Sequence, residues 1–335
     1  MKILLYFEAE KMIKTSGIGR AMAHQKAMLE QQGIEYTCDP ECEDYDILHV
    51  NTYGPSSSAL IKKAKRLGKK VIVHAHSTEE DFRNSFVMSN QIAPYFKKRL
   101  MSVYTQGDVI LTPTVYSKHI LEGYGLTQPI YNISNGIQLK NYEYDSEKVK
   151  AFRRYFSLDD NDKVVISVGL YFDRKGIFDF CDVASRLPQY KFIWFGYSAL
   201  YTIPKNVREL VLDTHPDNVL FPGYVKGAII EGAYNSADCF FFASKEETEG
   251  IVVLEALAAG AHVIVRDIPV FDPWLIDKEN CYKGKSNEEF AELVEGVVEK
   301  RLPDTGVAGR KTAEDRSIEK ISVKLKNIYE EVMKM

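Results

Sequence analysis

Nowhere in these 335 residues does an apolar run approach the roughly 20 residues that a membrane-spanning helix needs. The apolar opening Ile3 to Phe7 is stopped by Glu8 before a signal-peptide core could form, so the sequence predicts a cytoplasmic protein. Cysteine is scarce: Cys38, Cys42, Cys181, Cys239 and Cys281 are odd in number, widely spread and without a C-x-x-C pair. That excludes a disulfide framework and a zinc knuckle and leaves reduced packing residues. Charge of one sign is also lacking. The net charge is −4, the first half being slightly positive and the second negative. A nucleic-acid partner demands a sustained basic field, so none is expected. Internal repeats and low-complexity segments are absent as well.

What is present is a 45% hydrophobic chain, enough for two domains that each bury a core. Short β-rich runs alternate with longer amphipathic ones: KILLYF, AMAHQKAMLEQQG, DILHVN, SALIKKAKRLG, KKVIVHAH, a long helical stretch, then DVILTP. This is the rhythm of a parallel sheet with crossover helices. It pauses after the turn dipeptide Asn135-Gly136 in a polar stretch, then restarts with KVVISVGL, KFIWFG, NVLFPG, DCFFFAS and HVIVRD, helices between them. A loop LPDTGVAG precedes a last helix whose Ile321, Leu325, Ile328 and Val332 recur at helical spacing. The reading is an α/β protein with two Rossmann-like, doubly wound domains facing a cleft. Residues 1–145 and 146–312 form the domains, and the C-terminal helix within 313–335 packs back on the first. Strand C-terminal ends are where such folds bind ligands.

At one such end, SKEETEGIVVLEALAAG follows the apolar strand DCFFFA and opens a helix. Glu255, about one turn in, can accept two hydrogen bonds from a vicinal diol such as a ribose, and the N–H groups at Gly250 and Ile251 suit an anion. Glu247, in the loop before, can approach a second part of the same ligand. By spacing alone, a charged helix start favoured by the helix dipole explains the pair equally well. Upstream, SVGLYFDRKG places Arg174 and Lys175 just before a helix, a pattern that suits a diphosphate or a solvated loop. SGIGR puts Gly17 and Gly19 at a helix entry, where small residues admit a close ligand or simply make a turn. It is no dinucleotide fingerprint, because Met22 holds the third glycine position, and no G-K-[ST] follows these glycines. VIVHAH ends in His74 and His76, open to a metal site, a packed strand end or a substrate contact; no further ligand cluster follows, so no metal is expected.

The stretch from Glu247 to Gly260 resembles the Glu-seven-residues-Glu signature of the family 4 retaining glycosyltransferases, continued by Leu-Glu-Ala and a Gly. The resemblance implies a GT-B fold, a nucleotide-sugar donor and no obligatory metal or other cofactor. It implies Glu247 beside the donor sugar, Glu255 on the ribose, and Gly17, Gly19, Arg174, Lys175, Glu249, Gly250 and Ile251 around the donor. Two departures stand out: Leu170 replaces an Arg, whose charge Arg174 would supply, and Glu249 sits where many relatives have an aromatic residue. His76 matches the residue that reaches the transferring sugar, and with Glu247 it is the expected catalytic pair. His49 and Asn51 of DILHVN and Asn135 of ISNGI match the acceptor side. Asp44-x-Asp46 mimics the metal motif of another fold but precedes a strand in the wrong architecture.

HSTEEDFRNSF, GYVKGAIIEGA and EETEGIVVLEALA narrow the resemblance to the galactosyl- or glucosyl-glucosyl-diacylglycerol synthases of Gram-positive bacteria. That implies a hexose passing from UDP-glucose or UDP-galactose to monoglucosyl-diacylglycerol on the inner face of the cell membrane. Two basic runs, Lys62 to Lys70 and Lys97 to Arg99, the latter closing the apolar FVMSNQIAPYF, fit an anionic lipid surface or solvated helix faces. Rival readings are a soluble or polysaccharide-building transferase, a non-catalytic partner subunit of the same fold, and a metal hydrolase built on His74 and His76.

Overall fold

The computed structural model describes residues 1–10 and 17–335; Ser16 of the SGIGR motif lies outside them. The chain divides into two compact units. Met1–Phe82, Gln91–Ile137 and Arg316–Met335 make the first, Arg83–Asn90 and Gln138–Asp315 the second.

The first unit holds a six-stranded sheet in the order β2-β1-β3-β4-β5-β6, with β1 Lys2–Tyr6, β2 Glu35–Thr37, β3 Ile47–Val50, β4 Lys70–His74, β5 Val109–Thr112 and β6 Ile130–Asn132. Every pairing is parallel. β3 and β5 are buried throughout, as a sheet covered on both faces requires, which is why these strands read as continuous apolar runs. The order reverses between β1 and β3, so the crevice of this sheet lies at their carboxyl ends. The C-terminal helix Ile318–Val332 buries Ile318, Ile321, Leu325, Ile328, Tyr329 and Val332 in one core with Met28 and Leu29 of the helix Gly17–Gln31. Ile137 guides it in: its N–H donates to Arg316 O at 3.0 Å and its carbonyl accepts from Ile318 N at 3.0 Å.

The second sheet runs β12-β11-β10-β7-β8-β9, with β7 Val164–Val168, β8 Lys191–Phe195, β9 Val219–Gly223, β10 Cys239–Phe242, β11 Val263–Arg266 and β12 Tyr282–Gly284, again all parallel. Its order reverses between β10 and β7. Phe180, Phe192, Trp194, Phe241 and Phe290 fill one side of this sheet. Helices Ser146–Tyr155 and Ala228–Ser236 pack so closely that a Cβ on Gly232 would lie 2.0 Å from Lys148 O.

The structure adds elements that the apolar pattern does not announce: the three-residue edge strands β2 and β12 and the helices Ser146–Tyr155 and Gly306–Glu314. The stretch after β4, predicted as one long helix, is two, Glu79–Phe82 and Ser89–Tyr104. Asn84 and Met88 between them have φ of 53° and 62°, and a left-handed residue ends a right-handed helix. The intervening segment belongs to the second unit, where Val87 N donates to Thr202 O at 3.0 Å and Phe86 meets Phe172 edge to face at 4.7 Å. Among the described residues no helix is long and apolar enough to cross a membrane.

Candidate active site

In the second unit, the loops leaving β7 and β10 meet at the reversal of strand order, where open α/β sheets bind ligands. A one-turn 3-10 helix, Asp173–Lys175, follows β7, and Gly176 then adopts φ 79° to start the helix Ile177–Arg186. Only glycine fits there, since a Cβ would lie 2.3 Å from Ala243 O, at the end of β10. The two loops are stitched by Lys245 N donating to Arg174 O at 2.7 Å, with Ser244 Oγ 3.2 Å from the same carbonyl. Lys175 Nζ forms an ion pair with the Glu247 carboxylate, which also accepts from Ser244 Oγ at 2.7 Å. Both members are largely buried, their side chains 15% and 7% exposed. The sequence-predicted cation and carboxylate therefore meet in one place.

Arg174 lies beside them in sequence but is engaged differently. Its Nε donates to Ser85 Oγ at 2.8 Å, its Nη1 to Glu246 O at 3.2 Å, and its backbone N to Asn84 O at 3.1 Å. The guanidinium fixes the Ser85 segment against this loop, a role that charge spacing could not reveal. Lys245, which no sequence motif singles out, pairs with Asp173 at 2.8 Å and Asp179 at 3.2 Å, and Arg266 reaches Asp179 at 2.8 Å.

Gly250 caps the helix Ile251–Ala258 in the left-handed region, φ 89°, with the Phe271 ring 3.3 Å from where a Cβ would stand. Glu249 and Glu255 are buried. Tyr234 OH donates to Glu255 Oε2 at 2.6 Å, so a phenol 21 residues upstream aims this carboxylate. No local pattern could have pointed to Tyr234, because its helix and that of Glu255 meet only in the folded unit.

In the first unit, His49, Asn51, His74 and His76 gather at the carboxyl ends of β3 and β4, all buried. His74 and His76 stack at 4.0 Å, and His49 and His74 at 5.4 Å. Asn51 Oδ1 accepts from Gln25 Nε2 at 2.7 Å and lies 2.8 Å from His76 Nε2. Burial pushes the His49 and His76 imidazoles down to about 3 and His74 well below its ordinary value, so all three are neutral at physiological pH. Stacked rings bonded to amides do not converge on one point, and among the described residues no three His, Cys, Asp or Glu side chains form a metal-ligating group. Gly17 and Gly19 sit in the first turn of the helix that carries Gln25; a Cβ on Gly17 would meet nothing within 4 Å among the described residues, and Gly19 is buried. Asn135 is buried at the turn whose Gly136 has φ 74°.

The basic runs are paired in part. Lys63 reaches Glu43 at 3.0 Å, Lys65 reaches Asp108 at 3.7 Å, Lys97 reaches Glu79 at 3.6 Å, and Arg99 Nε donates to Tyr53 O at 2.6 Å. Lys62 and Arg66 project from the helix Pro55–Arg66 as exposed cations. On the helix Ser89–Tyr104, Phe96 and Met101 pack against the core, while Ile92 and Tyr95 are 43% and 71% exposed and Lys98 follows on the same side.

Comparison with known proteins agrees with this architecture. The family described as Glycosyl transferases group 1 matches residues 148–315, and Glycosyltransferase Family 4 matches residues 19–141. A relative named processive diacylglycerol alpha-glucosyltransferase, from Acholeplasma laidlawii, is 49% identical over 100% of this chain and 99% of its own. The alpha-galactosylglucosyldiacylglycerol synthase of Streptococcus pneumoniae (strain ATCC BAA-255 / R6) is 26% identical over 76% of this chain and 67% of its own. Among solved structures, Anabaena HepE in complex with UDP-glucose superposes with a TM-score of 0.77 over 99% of this chain and 100% of that one, at 15% identity. That likeness shows a shared two-domain fold.

Proposed function

We propose that this chain, which belongs to the Glycosyl transferases group 1 family, moves a hexose from UDP-glucose or UDP-galactose to a monoglucosyl-diacylglycerol acceptor. The α configuration is retained, the acceptor is met at an anionic membrane surface, and no metal is required. The observation that carries the reading is the Lys175–Glu247 pair at the strand-order reversal, a buried cation and carboxylate poised on one spot. A departing UDP needs positive charge, and Lys175 supplies it once it leaves Glu247 for the diphosphate. The released carboxylate then orients the hexose. Glu255, aimed by Tyr234, takes the ribose hydroxyls. The diacylglycerol acceptor rests on what the two lipid-glycosylating relatives are named for, and the first of those names favours glucose as the hexose.

Lys62, Arg66 and the Ile92, Tyr95, Lys98 edge supply the cations and apolar side chains that an anionic bilayer attracts. Turnover is expected to rise with the fraction of anionic lipid in vesicles that present the acceptor. The same rate on detergent-free soluble glucosides would contradict the lipid reading. Proton NMR of the product's anomeric centre reports whether configuration is retained.

Glu255 can be tested separately. Glu255→Ala is expected to weaken UDP binding about 10- to 100-fold, the worth of hydrogen bonds to a charged group. Tyr234→Phe removes one hydrogen bond and should cost about 3- to 10-fold. Isothermal titration with UDP measures both, and unaltered affinity in Glu255→Ala would overturn the ribose role.

A further inference from the structure

Arg83–Asn90 belong to the second unit and run along it as a strap tied by its own hydrogen bonds. Asn84 N donates to Asn90 Oδ1 at 2.9 Å, Ser85 N to Ser89 Oγ at 3.2 Å, and Ser89 N to Phe86 O at 3.0 Å. Ser85 and Ser89 are buried, whereas Phe86, Val87 and Met88 between them are 40%, 50% and 60% exposed. Val87 N donates to Thr202 O at 3.0 Å, which brings the turn carrying Tyr201, 85% exposed, alongside. Three successive apolar side chains held in water on a fixed turn are a cost to the folded chain unless they meet a partner.

We propose that Phe86, Val87 and Met88, with Tyr201 alongside, form a tip of the second unit that inserts into the interfacial layer of an anionic bilayer. This rests on the reading that the acceptor is met at a membrane surface, and it adds an anchor on the unit that holds the donor loop. Charge points to lipid. The second half of the chain is net negative, yet neither Arg83 to Asn90 nor Tyr197 to Asn206 contains a carboxylate, while Arg83 and Lys205 flank the apolar side chains. Lys205 pairs with Glu209 at 3.3 Å, an exposed contact that a lipid phosphate readily replaces. Phe, Val and Met suit the acyl boundary, and a Tyr hydroxyl suits the headgroup layer. A second copy of the chain is poorly served, because four side chains fall far short of the roughly 20 to 30 residues a side in a stable interface. The position of the tip gives it a use. Phe86 packs edge to face on Phe172 at 4.7 Å, and Arg174 Nε donates to Ser85 Oγ at 2.8 Å, immediately before Lys175. A bilayer that takes up the tip therefore holds the donor loop at a fixed height above the acyl chains.

The test is tryptophan fluorescence of the full chain with vesicles of phosphatidylglycerol and phosphatidylcholine, brominated on the acyl chains and free of glycolipid. Trp194 and Trp274 are buried, so Val87→Trp adds one surface tryptophan. Its emission is expected to shift to the blue and to fall about twofold or more on vesicles, the mark of a ring within the acyl boundary. Val307→Trp, at a site 83% exposed elsewhere on the same unit, is the control and should be quenched little. Vesicle binding without quenching of Val87→Trp, as surface cations alone would give, overturns the proposal, and so does the absence of vesicle binding. Val87→Asp combined with Met88→Asp should weaken vesicle binding about 10- to 100-fold, the worth of two apolar side chains kept in water. UDP affinity within about twofold of wild type checks that the second unit of this variant is folded, and Val87→Ser with Met88→Ser replaces it otherwise. Unchanged vesicle affinity would remove the tip from the role. A dimer in sedimentation that the double variant abolishes would assign the tip to a second copy and overturn the lipid assignment. A wild type that inserts but glycosylates no lipid counts against the transferase reading alone, and one that glycosylates lipid without inserting counts against the tip alone.

Discussion

Replacing Glu247 with alanine is expected to lower kcat about 100- to 1000-fold while changing the KM for the UDP-sugar by less than about fivefold. The magnitude is that of removing one preorganised polar group from a water-poor site, about 3 to 4 kcal/mol of transition-state stabilisation. The asymmetry follows from the geometry. Glu247 is held on Ser244 Oγ at 2.7 Å and pairs with Lys175. In the alanine variant Lys175 is freed for the diphosphate at no cost of breaking an ion pair, which offsets lost contacts to the hexose in the ground state. What disappears is orientation of the sugar as its bond to UDP breaks, and that reports in kcat. Glu247→Gln keeps an acceptor oxygen and should recover part of the loss. Steady-state kinetics with the donor varied measures both constants. A loss confined to KM would place Glu247 in donor binding only and contradict this division of labour with Glu255.

Gly196→Ala should destabilise the second unit by roughly 3 to 5 kcal/mol, combining an unfavourable backbone conformation with a clash in a packed site. Gly196 has φ 131°, and a Cβ there would stand 2.0 Å from Gly169 O and 2.8 Å from the Gly169 carbonyl carbon. That carbonyl cannot retreat easily. It accepts from Trp194 Nε1 at 2.9 Å, while Gly169 N donates to Phe195 O at 2.8 Å. Gly196 N in turn donates to Gly223 O at 2.9 Å, so three strand ends are locked through three glycines. Because Gly169 begins the loop that delivers Lys175, residual activity should fall together with stability. Urea unfolding followed by tryptophan fluorescence, with Trp194 at the lesion, reads the effect. A change below about 1 kcal/mol would mean that the strand ends yield and that Gly169 is not rigidly set.

Much of this architecture was legible because parallel strands buried on both faces leave continuous apolar runs. KILLY, VVISV and CFFF announce themselves. The edge strands EYT and YKG carry no such run, since each has a neighbour on one side only. The helix Ser146–Tyr155 was hidden by its polarity, with Phe152 as its single fully buried side chain. Yet Asp145 caps it, accepting from Glu147 N at 2.9 Å, and that Asp-Ser-Glu start was readable as a signal. The helix Gly306–Glu314 was masked by its two glycines. Both mark close approach: a Cβ on Gly306 would meet Gly260 O at 2.5 Å, and one on Gly309 would meet Leu257 Cδ2 at 2.8 Å.

Glu247, Glu255 and Lys175 in the second unit, and His76 in the first, were visible as residue types at strand ends. Their supports were not. Tyr234, Gln25, Tyr329 and Ser244 act through contacts made only after folding, across sequence separations of up to 280 residues for His49 and Tyr329. Arg174, adjacent to Lys175, was legible as a cation at the same loop, but its hydrogen bonds to Ser85 and the Glu246 carbonyl were not.

The central claim is that a hexose passes from a UDP-sugar to a glycosylated diacylglycerol, and product mass spectrometry tests it most directly. The purified chain is offered UDP-glucose and UDP-galactose in turn, with vesicles of anionic lipid containing either diacylglycerol or monoglucosyl-diacylglycerol. The account predicts a lipid product heavier by one hexose from monoglucosyl-diacylglycerol with at least one donor, abolished with Glu247→Ala over the same time course. Hexose appearing only on water-soluble acceptors, or no hexosylated lipid from any combination, would contradict it.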